Sequence, residues 1–256
     1  MAVATTCVVN ISMYQASAAM NANARWQEVI SENLASSSIP GFKRQDLSFS
    51  AVQAGLMPQG AGAQKLNFVL PQAQATTSFA PGDLKYTGLK TDVAIEGAGF
   101  FEVQLANGTS AYTRDGEFQI NSQGQLATKQ GQVVLGDGGP IQLDRNNTAP
   151  LSISPSGEVS QGMDRKGRLR IMEFNDLRLL TPIGGGSFMA TNPSVQASEV
   201  RQPAIRQEFL ESANTSPVNE MGNLIGVMRS FEANQRVVQI NDERMGRAIS
   251  ELGNPS

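Results

Sequence analysis

Residues 221–252 read MGNLIGVMRSFEANQRVVQINDERMGRAISEL, and their spacing decides the fold at this end of the chain. Met221, Leu224, Met228, Phe231, Gln235, Val238, Asp242, Met245, Ile249 and Leu252 alternate steps of three and four. A heptad seam sustained for about four repeats marks a helix that packs lengthwise against another helix. Gln235 and Asp242 put polar groups into that seam, which costs stability and fixes register or partner choice. Arg229, Glu232, Arg236, Glu243 and Arg247 hold its flanks. One helix with one apolar seam buries it against a partner.

The partner within the chain stands at the other end. From Ser12 to Leu34 there is no proline and little to break a helix, and Ala19, Ala22, Trp26, Val29, Ile30 and Leu34 recur on one face. Ser36-Ser37-Ser38-Ile39-Pro40-Gly41 stops it, since serine competes for backbone hydrogen bonds and Pro-Gly turns the chain. The C-terminal seam is the longer of the two and leaves apolar surface for neighbouring copies; an ordinary helical hairpin is the alternative. Met13 is an alternative start, in which case residues 1–12 are an unstructured extension.

Between the helices the character changes twice. Residues 43–80 are rich in glutamine and alanine, with Gly55, Gly60 and Gly62, and read as an extended arm or linker. Residues 81–203 alternate short β-prone runs with glycine turns: Asp92–Glu96, Phe100–Leu105, Ala111–Thr113, Glu117–Ile120, Gln132–Leu135, Pro140–Leu143, Leu151–Ile153 and Leu169–Phe174. Asn107-Gly108, Asp115-Gly116, Asp137-Gly138-Gly139 and Lys166-Gly167 supply the turns. This predicts an antiparallel all-β domain, and Phe100 and Phe101 point to its opposite faces. The fold class is therefore α+β, in four parts: a helical segment 1–42, the arm 43–80, a β domain 81–203 and a helical segment 204–256.

Composition narrows the function classes. Of 256 residues 40% are hydrophobic, enough for a core, and the net charge of −3 argues against a general nucleic-acid binder. The basic run Arg165, Lys166, Arg168 and Arg170 around Gly167 reads as a solvated hairpin. The chain has no histidine and a single cysteine, Cys7. That removes the usual general base, every histidine-dependent nucleophile and a thiolate zinc cluster. Asp115 and Glu117 flank a turn glycine and read as solvated turn carboxylates, and the glycine clusters at 97–99, 136–139 and 184–186 match no nucleotide-binding fingerprint. No catalytic residue, cofactor site or metal site is expected. No apolar run reaches the ~20 residues of a membrane span, and Met1–Val9 is a poor secretory signal.

Three stretches carry a resemblance. The first is Glu32-Asn33-Leu34-Ala35-Ser36-Ser37-Ser38-Ile39-Pro40-Gly41-Phe42-Lys43-Arg44. The second runs from Gly82-Asp83-Leu84-Lys85-Tyr86-Thr87-Gly88 through Asp92–Phe101 to Tyr112-Thr113-Arg114-Asp115-Gly116-Glu117-Phe118. The third joins Leu210-Glu211-Ser212-Ala213-Asn214 and Val218–Met221 to Arg229-Ser230-Phe231-Glu232-Ala233-Asn234-Gln235. In order and spacing they resemble the bacterial flagellar axial proteins, the rod and hook family. Three departures fall at turns: Ser36 where asparagine is usual, Ile39 where threonine is, and Glu208 where glycine is common.

The resemblance implies a structural subunit of the basal-body rod that polymerises helically and transmits motor torque. It also implies a coiled-coil-like core of terminal helices with the β domain outside. Its partners would be further copies, other axial proteins and the flagellar type III export apparatus, which needs no cleaved signal, and the rod would span the periplasm. The interface it points to comprises Trp26, Ile30, Asn33, Leu34, Pro40, Gly41, Phe42, Met221, Leu224, Met228, Phe231, Gln235, Val238, Met245 and Ile249. Length favours a rod protein over a hook protein, and the Met13-Tyr14-Gln15 opening with Met228–Gln235 favours the proximal over the distal rod. From a different class, a soluble β-domain binding module or adhesin accounts for the middle but leaves the C-terminal seam unused.

Overall fold

No glycine or proline interrupts the first helix, α1 (Ala2–Ala35), which is rich in alanine from Ala16 onward. The structure, a computed structural model, describes residues 2–56, 67–145, 147 and 149–253. Helix α1 begins earlier than the Ser12 expected, because nothing in Ala2–Ile11 interrupts helical propagation. It is followed by β1 (Gln45–Leu56) and β2 (Asn67–Thr77), which pair as a two-stranded sheet. Ser48 Oγ donates to Gln74 O and Thr76 Oγ1 to Asp46 O, so the strands run antiparallel. The stretch expected to be an arm or linker is thus a β-ribbon, whose hydrogen bonds come from backbone groups that a composition rich in glutamine does not advertise. Gly60 and Gly62 lie outside the described residues. The last element, α2 (Pro217–Gly253), starts on a proline, whose missing N–H costs nothing at the first helical position. Residues 1–34, 45–76 and 217–256 form one compact unit, and 35–44 with 77–216 form the other.

The second unit is β-rich. Its strands are β3 (Leu84–Tyr86), β4 (Val93–Glu96), β5 (Phe100–Gln104), β6 (Ser110–Thr113), β7 (Phe118–Ile120), β8 (Leu126–Thr128), β9 (Val133–Gly136) and β10 (Gly139–Pro140). They continue as β11 (Leu151–Ile153), β12 (Glu158–Gln161), β13 (Asp164–Arg168), β14 (Ile171–Phe174), β15 (Thr181–Gly184), β16 (Ser187–Met189), β17 (Ala197–Glu199), β18 (Ala204–Gln207) and β19 (Phe209–Glu211). Among the described residues the largest sheet runs β15-β16-β6-β5-β9-β8-β7, with β10 on β9 and with β14 joining β5 to β17. β11-β12-β13 form a meander, and β18 pairs β4 as β19 pairs β3. The pairings are antiparallel.

Two differences from expectation concern where strands end. Residues 204–211, assigned to the C-terminal helical segment, are the strands β18 and β19, which return to β4 and β3 before the helix starts. The basic run is not a hairpin about Gly167. Arg165, Lys166 and Arg168 lie on β13, where Gly167 sits at a register shift against Val159 and Ser160, the turn is five residues earlier, at Gly162, and Arg170 follows the strand.

Phe100 and Phe101 divide the interior. Phe101 is buried with Val93, Ile95, Val103, Leu126, Val134 and Ile171, and meets Phe118 edge-on at 5.1 Å. Phe100 faces the other way, among Met172, Phe174, Leu180 and Phe188, with Phe79 at 5.8 Å. Adjacent residues on a strand face opposite sides, so one aromatic dipeptide anchors two cores.

Candidate assembly interface

The last turn of α1 is locked by Asn33. Its Nδ2 donates to Gln45 O at 2.8 Å and its Oδ1 accepts Gln45 N–H at 2.9 Å, so one buried side chain satisfies both backbone groups at the start of β1. Nearby, Trp26 packs edge-on against Phe49 at 5.8 Å, Ile30 is buried and Leu34 half-buried.

In the β-rich unit Pro40 is half-buried, and Gly41 and Phe42 are buried. Gly41 adopts φ 68°, and a Cβ there would lie 2.3 Å from the Arg114 carbonyl carbon. Both the left-handed backbone and the close approach demand glycine. The Gly41 N–H donates to Glu211 O at 2.7 Å.

Around that contact sits a buried three-charge cluster. Lys43 Nζ donates to Glu211 Oε1 at 2.6 Å and to Ala80 O at 2.9 Å. Arg114 donates through Nη1 to Glu211 Oε2 at 3.1 Å and through Nη2 to Gly97 O at 2.6 Å. The Gly82 N–H also reaches Glu211 Oε1, at 2.9 Å. The Arg114 guanidinium lies 5.2 Å from the Phe100 ring centroid. Burial holds the Lys43 ammonium below its usual pKa, with Glu211 pulling the other way, and it lowers Arg114 likewise. Asn214 repeats what Asn33 does: its Oδ1 accepts Arg44 N–H at 2.6 Å, and its Nδ2 donates to Ser78 O and Ala80 O.

Glu208 is the one non-glycine described residue with positive φ, at 68°. Its N–H donates to Asp92 O and its carbonyl accepts Thr87 N–H, both at 2.8 Å, while its carboxylate pairs with Lys90 and accepts Tyr86 O–H. Asp115, expected in solvent, is buried. Its Oδ1 caps the turn by accepting Glu117 N–H at 2.9 Å, and burial pushes its carboxyl up to about 6.

The inner row of α2 runs Glu220, Leu224, Val227, Asn234, Val238, Asn241, Met245, with Glu220, Val227 and Asn241 buried. Leu224, Val238 and Met245 of the expected seam lie on it, half-buried. Met221 (53% exposed) and Met228 (49%) do not, and neither do Gln235 and Ile249; Phe231 sits at the edge, 38% exposed. With the exposed Val218 and Ile225, the two methionines form a second, outward apolar row.

Comparison with known proteins bears on these groups together. Residues 94–161 match the D1 domain of the flagellar hook protein FlgE/F/G, and residues 206–251 match the C-terminal region of the flagellar basal body rod FlgEFG proteins. The flagellar basal-body rod protein FlgF of Caulobacter vibrioides is 34% identical over 227 residues, covering 88% of this chain and 91% of that one. The chain belongs to the flagellar basal-body rod protein family. FlgF of Mesorhizobium japonicum is 30% identical across 96% of this chain and 99% of its own, and FlgG of Buchnera aphidicola is 30% identical across 88% and 92%.

In a rod-family chain the three motifs turn out to be one object: Lys43 comes from the first, Gly82 and Arg114 from the second and Glu211 from the third. Sequence reasoning quoted all of these residues and gave them no role. The available signal was a charged residue in each of three separated motifs, two positive and one negative. Asn214, quoted in the third motif, likewise had no role assigned, and the inner α2 row was missed because Glu220, Asn234 and Asn241 do not look like seam residues. Among the described residues no acidic or thiol side chains group as metal ligands, and no helix is long and apolar enough to cross a membrane.

Proposed function

We propose that this chain is a structural subunit of the flagellar basal-body rod, polymerising helically through its terminal helices and transmitting motor torque. The observation that carries the reading is the double face of α2. Its inner row is covered within the chain at Glu220, Val227 and Asn241, and a second row, Val218, Met221, Ile225 and Met228, stands exposed at helical spacing. An exposed apolar stripe at helical spacing supports a helix–helix contact with a neighbouring axial subunit. A coiled-coil core of terminal helices, export by the flagellar type III apparatus and a periplasm-spanning location complete the proposal, with no catalytic role. A proximal position in the rod is part of the proposal, in keeping with the 34% identity to FlgF of Caulobacter.

The test is light scattering and electron microscopy of the full chain against a Met221→Asp/Met228→Asp variant, with motility of the corresponding strains. Concentration-dependent filaments and motility, both lost in the variant, are expected. A chain that assembles equally well with both aspartates, in a strain that swims normally, overturns the reading.

A further inference from the structure

We propose that Asn107 is the chain's site of spontaneous deamidation, and that closure of the β5–β6 hairpin gates the reaction. Residues 107 and 108 are the only Asn-Gly pair in the sequence, and both stand exposed at the hairpin tip. The chemistry is intramolecular. The Gly108 backbone nitrogen gives up its proton to water and attacks the Asn107 Cγ. An N–Cγ bond forms, the Cγ–Nδ2 bond breaks, and Nδ2 leaves as ammonia with a proton from water. Water then opens the cyclic imide at one of its carbonyls. The product is aspartate or, with the main chain rerouted through Cγ, isoaspartate. Glycine is the neighbour this needs, since no Cβ crowds the attacking nitrogen. Asp115-Gly116 and Asp137-Gly138 share that neighbour, but a carboxylate must expel hydroxide where the amide expels ammonia.

The folded tip withholds both reactants. Leu105 N–H donates to Thr109 O and Gly108 N–H to Leu105 O, each at 2.9 Å. Gly108 takes φ 83°, while Ala106 and Asn107 keep negative φ, so the tip is a type I turn followed by a left-handed glycine. That turn sets the Asn107 ψ near ~0°, and ring closure needs it swung well away. The attacking N–H is engaged with Leu105 O, the Asn107 Oδ1 accepts Thr109 N–H at 3.0 Å, and Gln104 Nε2 donates to Gly108 O at 3.3 Å. The two products differ in consequence. Aspartate keeps an oxygen on the Thr109 N–H. Isoaspartate adds a methylene to the main chain between Leu105 and Thr109, and so disturbs the register that sets Val103 opposite Ala111 in the core.

The experiment incubates the full chain with hydroxylamine, which cuts the imide, at one mildly alkaline pH with and without guanidinium chloride. In denaturant, fragments 1–107 and 108–256 are expected as the main products, suppressed by Gly108→Val. Without denaturant their formation is expected to be at least about tenfold slower, since the hairpin must first open. Main cleavage at another position overturns the site, and equal rates in the two conditions overturn the gate. Chain aged in denaturant and refolded is separated by charge, and its isoaspartate is marked with an isoaspartyl methyltransferase. Asn107→Asp is expected to melt with the parent and the isoaspartyl form below both. An isoaspartyl form that melts with the parent overturns the register consequence.

Discussion

Lys43 and Glu211, 168 positions apart, meet in a 2.6 Å ion pair in which each side chain is only 2% exposed. Charges this deep are tolerated only when their remaining hydrogen-bonding capacity is met. Here the Ala80 carbonyl, the Gly82 N–H and the Arg114 guanidinium meet it. Glu211→Ala leaves two buried cations facing carbonyls and no anion, and destabilises the β-rich unit by about 3–5 kcal/mol. Chemical denaturation of the full chain, followed by a probe in that unit, reads this loss; a shift of under about 1 kcal/mol would mean that water replaces the carboxylate.

Asp115 gives the β-rich unit a pH dependence of definite sign. Its folded pKa of about 6 lies above the ordinary 3.8, because burial disfavours the anion. The folded state therefore holds the proton more tightly, its contribution is fully present below the ordinary value, and stability is lost as pH rises through about 6. The part lost is on the order of 3 kcal/mol. Thermal unfolding between acidic and neutral pH should show a slope that Asp115→Asn removes while keeping the turn-capping oxygen; an unchanged slope assigns it to other groups.

Glu208 holds a backbone conformation that suits glycine. Glu208→Gly relieves the φ of 68° but gives up the Lys90 pair, so its melting temperature is expected at or slightly above that of the parent. Glu208→Val adds a β-branched clash and melts well below both. A valine variant as stable as the parent would show that the turn rearranges.

The offset between the two rows of α2 separates folding from assembly at neighbouring positions. Val227→Asp places a carboxylate at a site 2% exposed and destabilises the helical unit by about 3 kcal/mol or more. Met228→Asp, one residue on, changes monomer stability by less than about 0.5 kcal/mol and abolishes assembly. Circular dichroism on dilute protein and filament formation at high concentration distinguish the two. Equal destabilisation by both would merge the rows.

The same offset shows what the sequence discloses and what it hides. Leu224, Phe231, Val238 and Met245 recur every seven residues and lie on or at the edge of the inner row, so the heptad was visible but its phase was not. Apolar Met221 and Met228 drew the seam outward, while the buried alternates Glu220 and Asn241 are polar and took no part in the pattern. Strands built on conspicuous apolar runs, such as β4, β5 and β14, were legible. The hydrophilic pair β12 and β13 and the ribbon of β1 and β2 were not, since backbone pairing holds them and side-chain alternation does not announce it. The candidate surfaces were legible as motifs, but the charge cluster joining those motifs exists only in three dimensions.

That cluster also orders events in time. Its members come from positions 43, 114 and 211, so closing it requires loops among the longest the unit can form, and such contacts form late. Under the export route proposed above, a chain passing through a narrow channel cannot complete its β-rich unit until position 43, position 114 and Glu211 are all free to meet. The residue that seals the fold thus also delays it.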